Sequence, residues 1–366
     1  MAKLLVTGGA GFIGANFVRF WRRRYEHDEL CVLDALTYAG NRASLSSFDN
    51  DPGFTFVHGD IRDYDLVTRI LRDREIDTIV HFAAESHVDR SIHGPDEFID
   101  TNANGTHTLL KAAKFAWLDQ GSGRTHRFHH VSTDEVYGTL GPYDPAFTEH
   151  TAYTPNSPYS ASKAASDHLV RAYHHTFGLA VTTTNCSNNY GPYQFPEKLI
   201  PLFLINALHG RALPIYGDGQ QVRDWLYVDD HCLGICRVLA DGRVGEVYNI
   251  GGNTELPNLQ VINQLCEHLD ALIGGDPELA ARFPDSPAAR GIPTSSLKTY
   301  VKDRPGHDRR YAIDTGKITS ELGYRPGHDF RSGFAANLEW YLKNESWWRE
   351  VMDGSYRKWT KQQYGK

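Results

Sequence analysis

At 366 residues, 40% hydrophobic and 23% charged, the chain can build one large α/β core or two unequal domains. Its net charge of -7, with acidic and basic residues interspersed, leaves no basic footprint for nucleic acid. No apolar run approaches the roughly 20 residues needed to cross a bilayer, so neither nucleic acid nor a membrane is an expected partner.

The N-terminus shows no signal-peptide pattern and enters a strand directly, Lys3 to Val6. Five scattered cysteines without a CxxC pair read as reduced thiols of a cytoplasmic protein. Doublets such as His129-His130 and His174-His175 lack metal-ligand spacing, and no metal is expected.

After the first strand come Gly8, Gly11 and Gly14, then a helical pattern to about Arg24. Small residues between strand and helix let a backbone approach a pyrophosphate, which the helix N-terminus favours. The next strand, Leu30 to Leu33, ends in Asp34, twenty residues past Gly14. A carboxylate there accepts hydrogen bonds from an adenosine ribose and repels a 2′-phosphate, which favours NAD over NADP. Phe54 to Val57 is a strand leading to Asp60 and Ile61, with Asp60 placed to face the adenine. A helix follows from about Tyr64 to Arg74. Thr78 to Ala84 reads as a strand buried on both faces, and it opens onto a polar loop, Glu85 to Ser91, at the sheet edge where ligands sit.

A helix is expected from about Pro95 to Trp117, holding Thr101 and Asn102. The strand ending at Val131 delivers Ser132, Thr133, Asp134 and Glu135. Pro158 then starts a helix that stops near Gly178. Tyr159 and Lys163 lie one turn apart on it and point the same way. An ammonium beside a phenol favours the phenolate, so Tyr159 reads as a base working below its free pKa. With the strand Ala180 to Asn185, the βα order predicts a doubly wound parallel sheet of the Rossmann type.

Beyond Tyr190 the alternation breaks down. A helix is expected at about Lys198 to His209, the Arg223 to Asp230 stretch leads into another, and Glu246 to Ile250 reads as a strand returning to the sheet. An amphipathic helix runs from Pro257 to about Leu272. The Gly/Pro/Ala/Ser-rich stretch from Gly274 to Ser296 reads as an exposed insertion, and Trp- and Tyr-rich helices close the chain. The division expected is an NAD-binding domain over 1–190 with a returning segment near 222–252, and a smaller mixed α/β substrate domain over 191–221 and 253–366.

The glycine pattern, Asp34, the Asn188-Asn189-Tyr190-Gly191-Pro192 run and the Tyr159/Lys163 pair resemble the extended short-chain dehydrogenase/reductases that act on nucleotide sugars. Asp134-Glu135 before Val136-Tyr137-Gly138 is similar to the dTDP-glucose 4,6-dehydratase branch, as are the blocks Asp34 to Asn41, Glu85 to Ser91 and Asp303 to Asp308. The resemblance implies a tightly bound NAD, regenerated in each turnover, and dTDP-glucose as substrate. It implies Tyr159 as the base for the glucose 4-hydroxyl, held by Lys163, with Thr133 bonding the same oxygen. Glu135 would remove the C5 proton and Asp134 would protonate the departing 6-hydroxyl.

The implied NAD site takes in Gly8, Gly11, Phe12, Ile13, Gly14, Asp34, Leu36, Thr37, Gly40, Asp60 and Ile61. It continues through Phe82, Ala83, Ala84, Ser86, Thr101, Ser132 and Asn188 to Tyr159 and Lys163. For the sugar nucleotide, Arg223 and Arg304 have guanidinium forks suited to a diphosphate. Ser86, His87, Asp89, Thr133, Asn189, Glu197, Lys198 and Leu199 are implied around the sugar, with Pro214, Tyr216, Asn258 and His307 beyond them. Members commonly dimerise through a four-helix bundle, which the helices starting near Pro95 and Tyr159 would supply, though their apolar stripes could equally cover the sheet. The rival readings are a 4-epimerase or a dehydratase for a CDP-, UDP- or GDP-sugar, and, from another class, a dinucleotide sensor without catalysis. Asp134-Glu135 speaks against the epimerase, and the five intact catalytic candidates speak against the sensor.

Overall fold

The computed structural model describes residues 1–121 and 123–352. In chain order the strands are β1 (Lys3–Thr7), β2 (Glu29–Asp34), β3 (Phe54–His58), β4 (Thr78–His81), β5 (Arg127–Thr133), β6 (Val181–Cys186), β7 (Asn188–Tyr190), β8 (Leu213–Tyr216), β9 (Val222–Tyr227), β10 (Val247–Ile250), β11 (Glu255–Pro257) and β12 (Lys298–Val301). Seven of them form one parallel sheet in the order β10-β6-β5-β4-β1-β2-β3. The order reverses between β1 and β4, the crevice where such sheets hold ligands.

The apolar strands are buried on both faces because side chains alternate. Leu4, Val6, Val32 and Val80 enter the core under the helices Phe12–Arg24 and Val228–Asp241. Their neighbours Leu5, Leu33 and Ile79 point the other way, into a core shared with Leu109, Leu110 and Trp117. The returning strand expected near Glu246 is β10, which extends the sheet beyond β6.

A smaller lobe combines a three-stranded sheet, β11-β9-β7, with the pair β12-β8. The helices Leu199–Leu208, Asn258–Gly275 and Phe330–Lys343 enclose its core, where Phe203, Leu265, Phe334 and Trp348 are buried.

Three expectations need correcting. The strand expected to reach Ala84 ends at His81, because Phe82 and Ala83 turn across Gly8. The polar loop Glu85 to Ser91 is in part a helix, Val88–His93. The stretch Gly274 to Ser296 is exposed at most of its positions, as expected, but it is not without structure: it contains the helix Pro277–Arg282 and buries Phe283, Ser286, Ala288 and Thr294. It is tied to the Asn258–Gly275 helix, where Asp270 Oδ1 accepts from Thr294 N at 2.8 Å and Oγ1 at 2.6 Å. The closing helices are Phe330–Lys343 and Glu345–Val351, and the rest of that expectation, 353–366, lies outside the described residues.

Candidate active site

Two connected grooves open along the carboxyl ends of the sheet. The longer starts at the glycine turn. Gly8 has φ +68°, and a Cβ on it would stand 2.6 Å from Ala83 N; one on Gly14 would stand 2.3 Å from Gly8 O. These two glycines are therefore required by the turn's own packing. Gly11 differs: it is the N-cap of the Phe12–Arg24 helix, with no side chain in front of the unpaired N–H groups.

At one end of this groove Asp34 is buried, its Oδ2 accepting from Ala10 N and its Oδ1 from Leu36 N, each at 2.8 Å. Burial pushes its carboxyl up and those two N–H groups pull it back. Gly40 sits where a Cβ would be 2.8 Å from Asp34 Oδ1. Leu36 departs from the expected set: it does not line the groove, and it contributes through its backbone N–H at φ +50°. Asp60, which forks with Arg62 (2.7 Å at the shortest), lines the wall with Phe12, Ile13, Thr37 and Ile61. Phe82, Ala83, Ala84, Ser86, Thr101, Ser132 and Asn188 complete it. An elongated groove with an open helix N-terminus in its wall and a buried carboxylate at one end fits a dinucleotide.

The other end gathers titratable side chains. β5 ends at Thr133, which caps a 3₁₀ turn, Asp134–Tyr137: its Oγ1 accepts from Glu135 N at 3.3 Å and donates to Asp134 Oδ1 at 3.3 Å. Facing it, the helix Pro158–Phe177 starts with a Ser157/Ser160 capping box and Pro158 at its first position, and ends at Gly178 in the left-handed conformation. Tyr159 and Lys163 are buried and border the groove, and Lys163 Nζ donates to Val131 O at 2.8 Å. Burial, then Glu135 and Cys186, push the Tyr159 phenol up, against the downward shift expected from Lys163 alone.

Burial raises both adjacent carboxyls and Arg223 pulls both back, but their other charged neighbours differ. Burial pushes Asp134 well up, and Glu135 and Asp224 push it the same way; its Oδ2 has no hydrogen-bond partner among the described residues. Burial also raises Glu135, but Arg304, Arg223 and Lys198 all pull it back. Asp134 is thus held in its acid form more firmly than Glu135, whose carboxylate three cations favour.

Glu135, Ser86, Asn188, Glu197 and Lys198 border both grooves. The second groove adds His87, Asp89, Leu199, Pro214, Tyr216, Arg223, Asn258, Arg304 and His307. Asp89 works here by fixing others, since it takes Arg304 Nη1 at 2.8 Å and Tyr216 OH at 3.2 Å. Arg223 lies over the Tyr311 ring, 4.3 Å from its centroid, and donates to Asp308 O at 3.0 Å. Burial pushes His307 down to about 4, so its ring is neutral near pH 7. Thr133 and Asn189 line the first groove and not the second, and the Asn189 amide is held by Ser187 O and His231.

Several contributors escaped the sequence reading. Arg90 bonds Glu197 at 3.0 Å and stacks on Tyr38, 3.8 Å from the ring centroid. Asn102 holds Glu85 N, Glu85 O and Ser162 Oγ from a π-helical turn, Ile99–Gly105, inside the helical run that begins at Asp96. Asp167 receives Ser132, Tyr153 and His130. Its place one turn past Lys163 was the only available signal.

This architecture and this pairing of Tyr159 and Lys163 with two acids define an extended short-chain dehydrogenase/reductase of the nucleotide-sugar group. The family model described as GDP-mannose 4,6 dehydratase matches residues 5–336. The chain is 56% identical over 359 residues to the dTDP-glucose 4,6-dehydratase of Xanthomonas campestris pv. campestris (strain B100), covering 98% of each. It is 50% identical over 372 residues to that of Salmonella typhimurium, covering 99% of each. Among solved structures, the dTDP-glucose 4,6-dehydratase DesIV of Streptomyces venezuelae, with NAD and TYD bound, superposes with TM-score 0.84 at 52% identity. The match covers 95% of this chain and 99% of that one. The chain belongs to the dTDP-glucose 4,6-dehydratase family. No described helix is long and apolar enough to cross a membrane.

Proposed function

We propose that the protein converts dTDP-glucose to dTDP-4-keto-6-deoxyglucose with NAD held in the long groove, a hydro-lyase reaction. The observation that carries this reading is the junction of the two grooves, where Tyr159 and Lys163 meet two adjacent carboxyls in different electrostatic surroundings. The residues of the long groove would hold NAD, which would supply the hydride acceptor for C4 of the sugar and the hydride donor for C6, while Lys163 favours the Tyr159 phenolate.

The chain's own residues move the protons. Tyr159 takes the proton of the 4-hydroxyl, with Thr133 bonding the same oxygen. The resulting ketone acidifies C5, Glu135 removes that proton, and Asp134 gives its proton to the 6-hydroxyl so that water leaves. Glu135 then returns a proton to C5. Arg223 and Arg304 hold the diphosphate, while Glu197 and Lys198 face the sugar.

The division into 1–190 with 222–252 and 191–221 with 253–366 is supported by the pairing of β10 with β6. β9 pairs with β7 and β11, so the returning segment also ties the two lobes together. The reading extends to a homodimer through a four-helix bundle that takes the helical run from Asp96 and the helix Pro158–Phe177 of each copy. The five free, buried cysteines support a reducing, cytoplasmic setting.

The test is incubation of purified protein with dTDP-glucose and no added NAD, followed by mass spectrometry. Loss of one water is expected. An unchanged mass, with galactose formed or only another nucleotide sugar reacting, would overturn the assignment.

A further inference from the structure

We propose that Asp167 is a positioning residue for this reaction, the counter-charge that keeps Lys163 an ammonium. Asp167 lies one turn past Lys163 on the same face of the Pro158–Phe177 helix. It is buried and lines neither groove. Three donors from three directions converge on its carboxyl: Ser132 Oγ at 2.8 Å, Tyr153 OH at 2.9 Å and His130 Nε2 at 3.0 Å. Tyr153 OH accepts from Asn185 Nδ2 at 3.2 Å, which leaves its own proton for Asp167. His130 is held neutral by burial and its Nδ1 has no partner, so a hydrogen on Nε2 avoids a buried, unpaired N–H. Burial raises the Asp167 carboxyl to about 6, while Lys163 and the Ser132 and Tyr153 donors pull it back toward the anion.

Around Lys163 the remaining groups carry no compensating charge. The His81 and His130 rings, with centroids 5.3 Å apart, are both held neutral by burial, and burial pushes the Cys186 thiol up. His168, next to Asp167 on the helix, favours the carboxylate. The Val131 carbonyl accepts from Nζ but bears no net charge. Burial disfavours the ammonium, and Asp167 opposes that effect from one turn away.

The inference rests on the reading that Tyr159 and Lys163 run the first proton transfer. Its test is Asp167→Asn in the full chain with bound NAD, comparing single-turnover rates of cofactor reduction by dTDP-glucose across pH. The alkaline limb, where Lys163 loses its proton, is expected about one pH unit lower than in the wild type, with KM unchanged. Asp167→Glu, which restores the charge, is expected to bring the limb back. An alkaline limb left in place by Asp167→Asn would overturn the inference. Should that variant not fold, lysine-selective NMR of the wild-type holoenzyme decides: Lys163 should remain an ammonium through the pH optimum, and a neutral lysine there would overturn the inference too. Failure of the wild type to dehydrate dTDP-glucose is a separate result, which removes the functional reading itself.

Discussion

The two arms of the active site are built from different materials. The dinucleotide arm is largely backbone: a glycine turn packed against Ala83, an open helix N-terminus, and Asp34 pinned by two main-chain N–H groups. The sugar arm is side chains brought from far apart, as with Asp89 and Arg304, which bond across 215 residues. A site made of backbone depends on space, whereas one made of charged side chains depends on electrostatic balance. Comparable insults should therefore fail in different ways.

The largest effect is expected where the arms meet. Tyr159→Phe should lower kcat by roughly 10²–10⁴-fold, the usual scale for losing a proton-transfer group, with NAD retained. Glu135→Gln should let oxidation proceed and block elimination, so reduced cofactor accumulates on the enzyme while no water is lost. Absorbance and mass spectrometry together check this, and normal turnover of the Gln variant would remove Glu135 as the base.

Next come substitutions that separate the arms. Gly14→Ala places a methyl 2.3 Å from Gly8 O, so the backbone must shift. About 1–3 kcal/mol of stability should be lost, and bound NAD with it. Binding of dTDP to the cofactor-free variant, measured by calorimetry, should stay within a few-fold of wild type. Arg304→Ala should do the reverse. It strips a charged donor from the pocket and leaves Asp89 without that partner, so dTDP affinity should fall about 10–100-fold while NAD is retained. If Gly14→Ala weakened dTDP as much as NAD, the contrast between the arms would be lost.

The same contrast explains what could be read from the sequence. Gly8, Gly11, Gly14 and Asp34 lie within a short βαβ segment, so chain connectivity alone brings them together, and Tyr159 and Lys163 share a helix face. The proposed Asp134/Glu135 division of labour was only implied by resemblance, because the cations around Glu135 come from positions distant in the chain, Lys198, Arg223 and Arg304. Arg90 stacking on Tyr38, and the donors around Asp167, are tertiary facts with no local pattern. The stretch from Gly274 to Ser296 was legible only in part, as exposed, because small residues and prolines mark loops in isolation. Here they flank Phe283, Ser286, Ala288 and Thr294, which are buried.

That segment also supplies the smallest predicted effect. Asp276 caps the Pro277–Arg282 helix, its Oδ1 accepting from Glu278 N at 2.9 Å and Leu279 N at 3.1 Å. Asp276→Ala removes both bonds and should cost about 1 kcal/mol, read as a lower denaturation midpoint. Because Phe283 and Ala288 belong to the smaller lobe's core, the loss should appear in the main unfolding transition and leave kcat unchanged. An exposed insertion would behave otherwise: its cap could be removed with the midpoint unmoved, since fraying there would expose no core. An unchanged midpoint would therefore restore the loop reading that the packing of Phe283 now opposes.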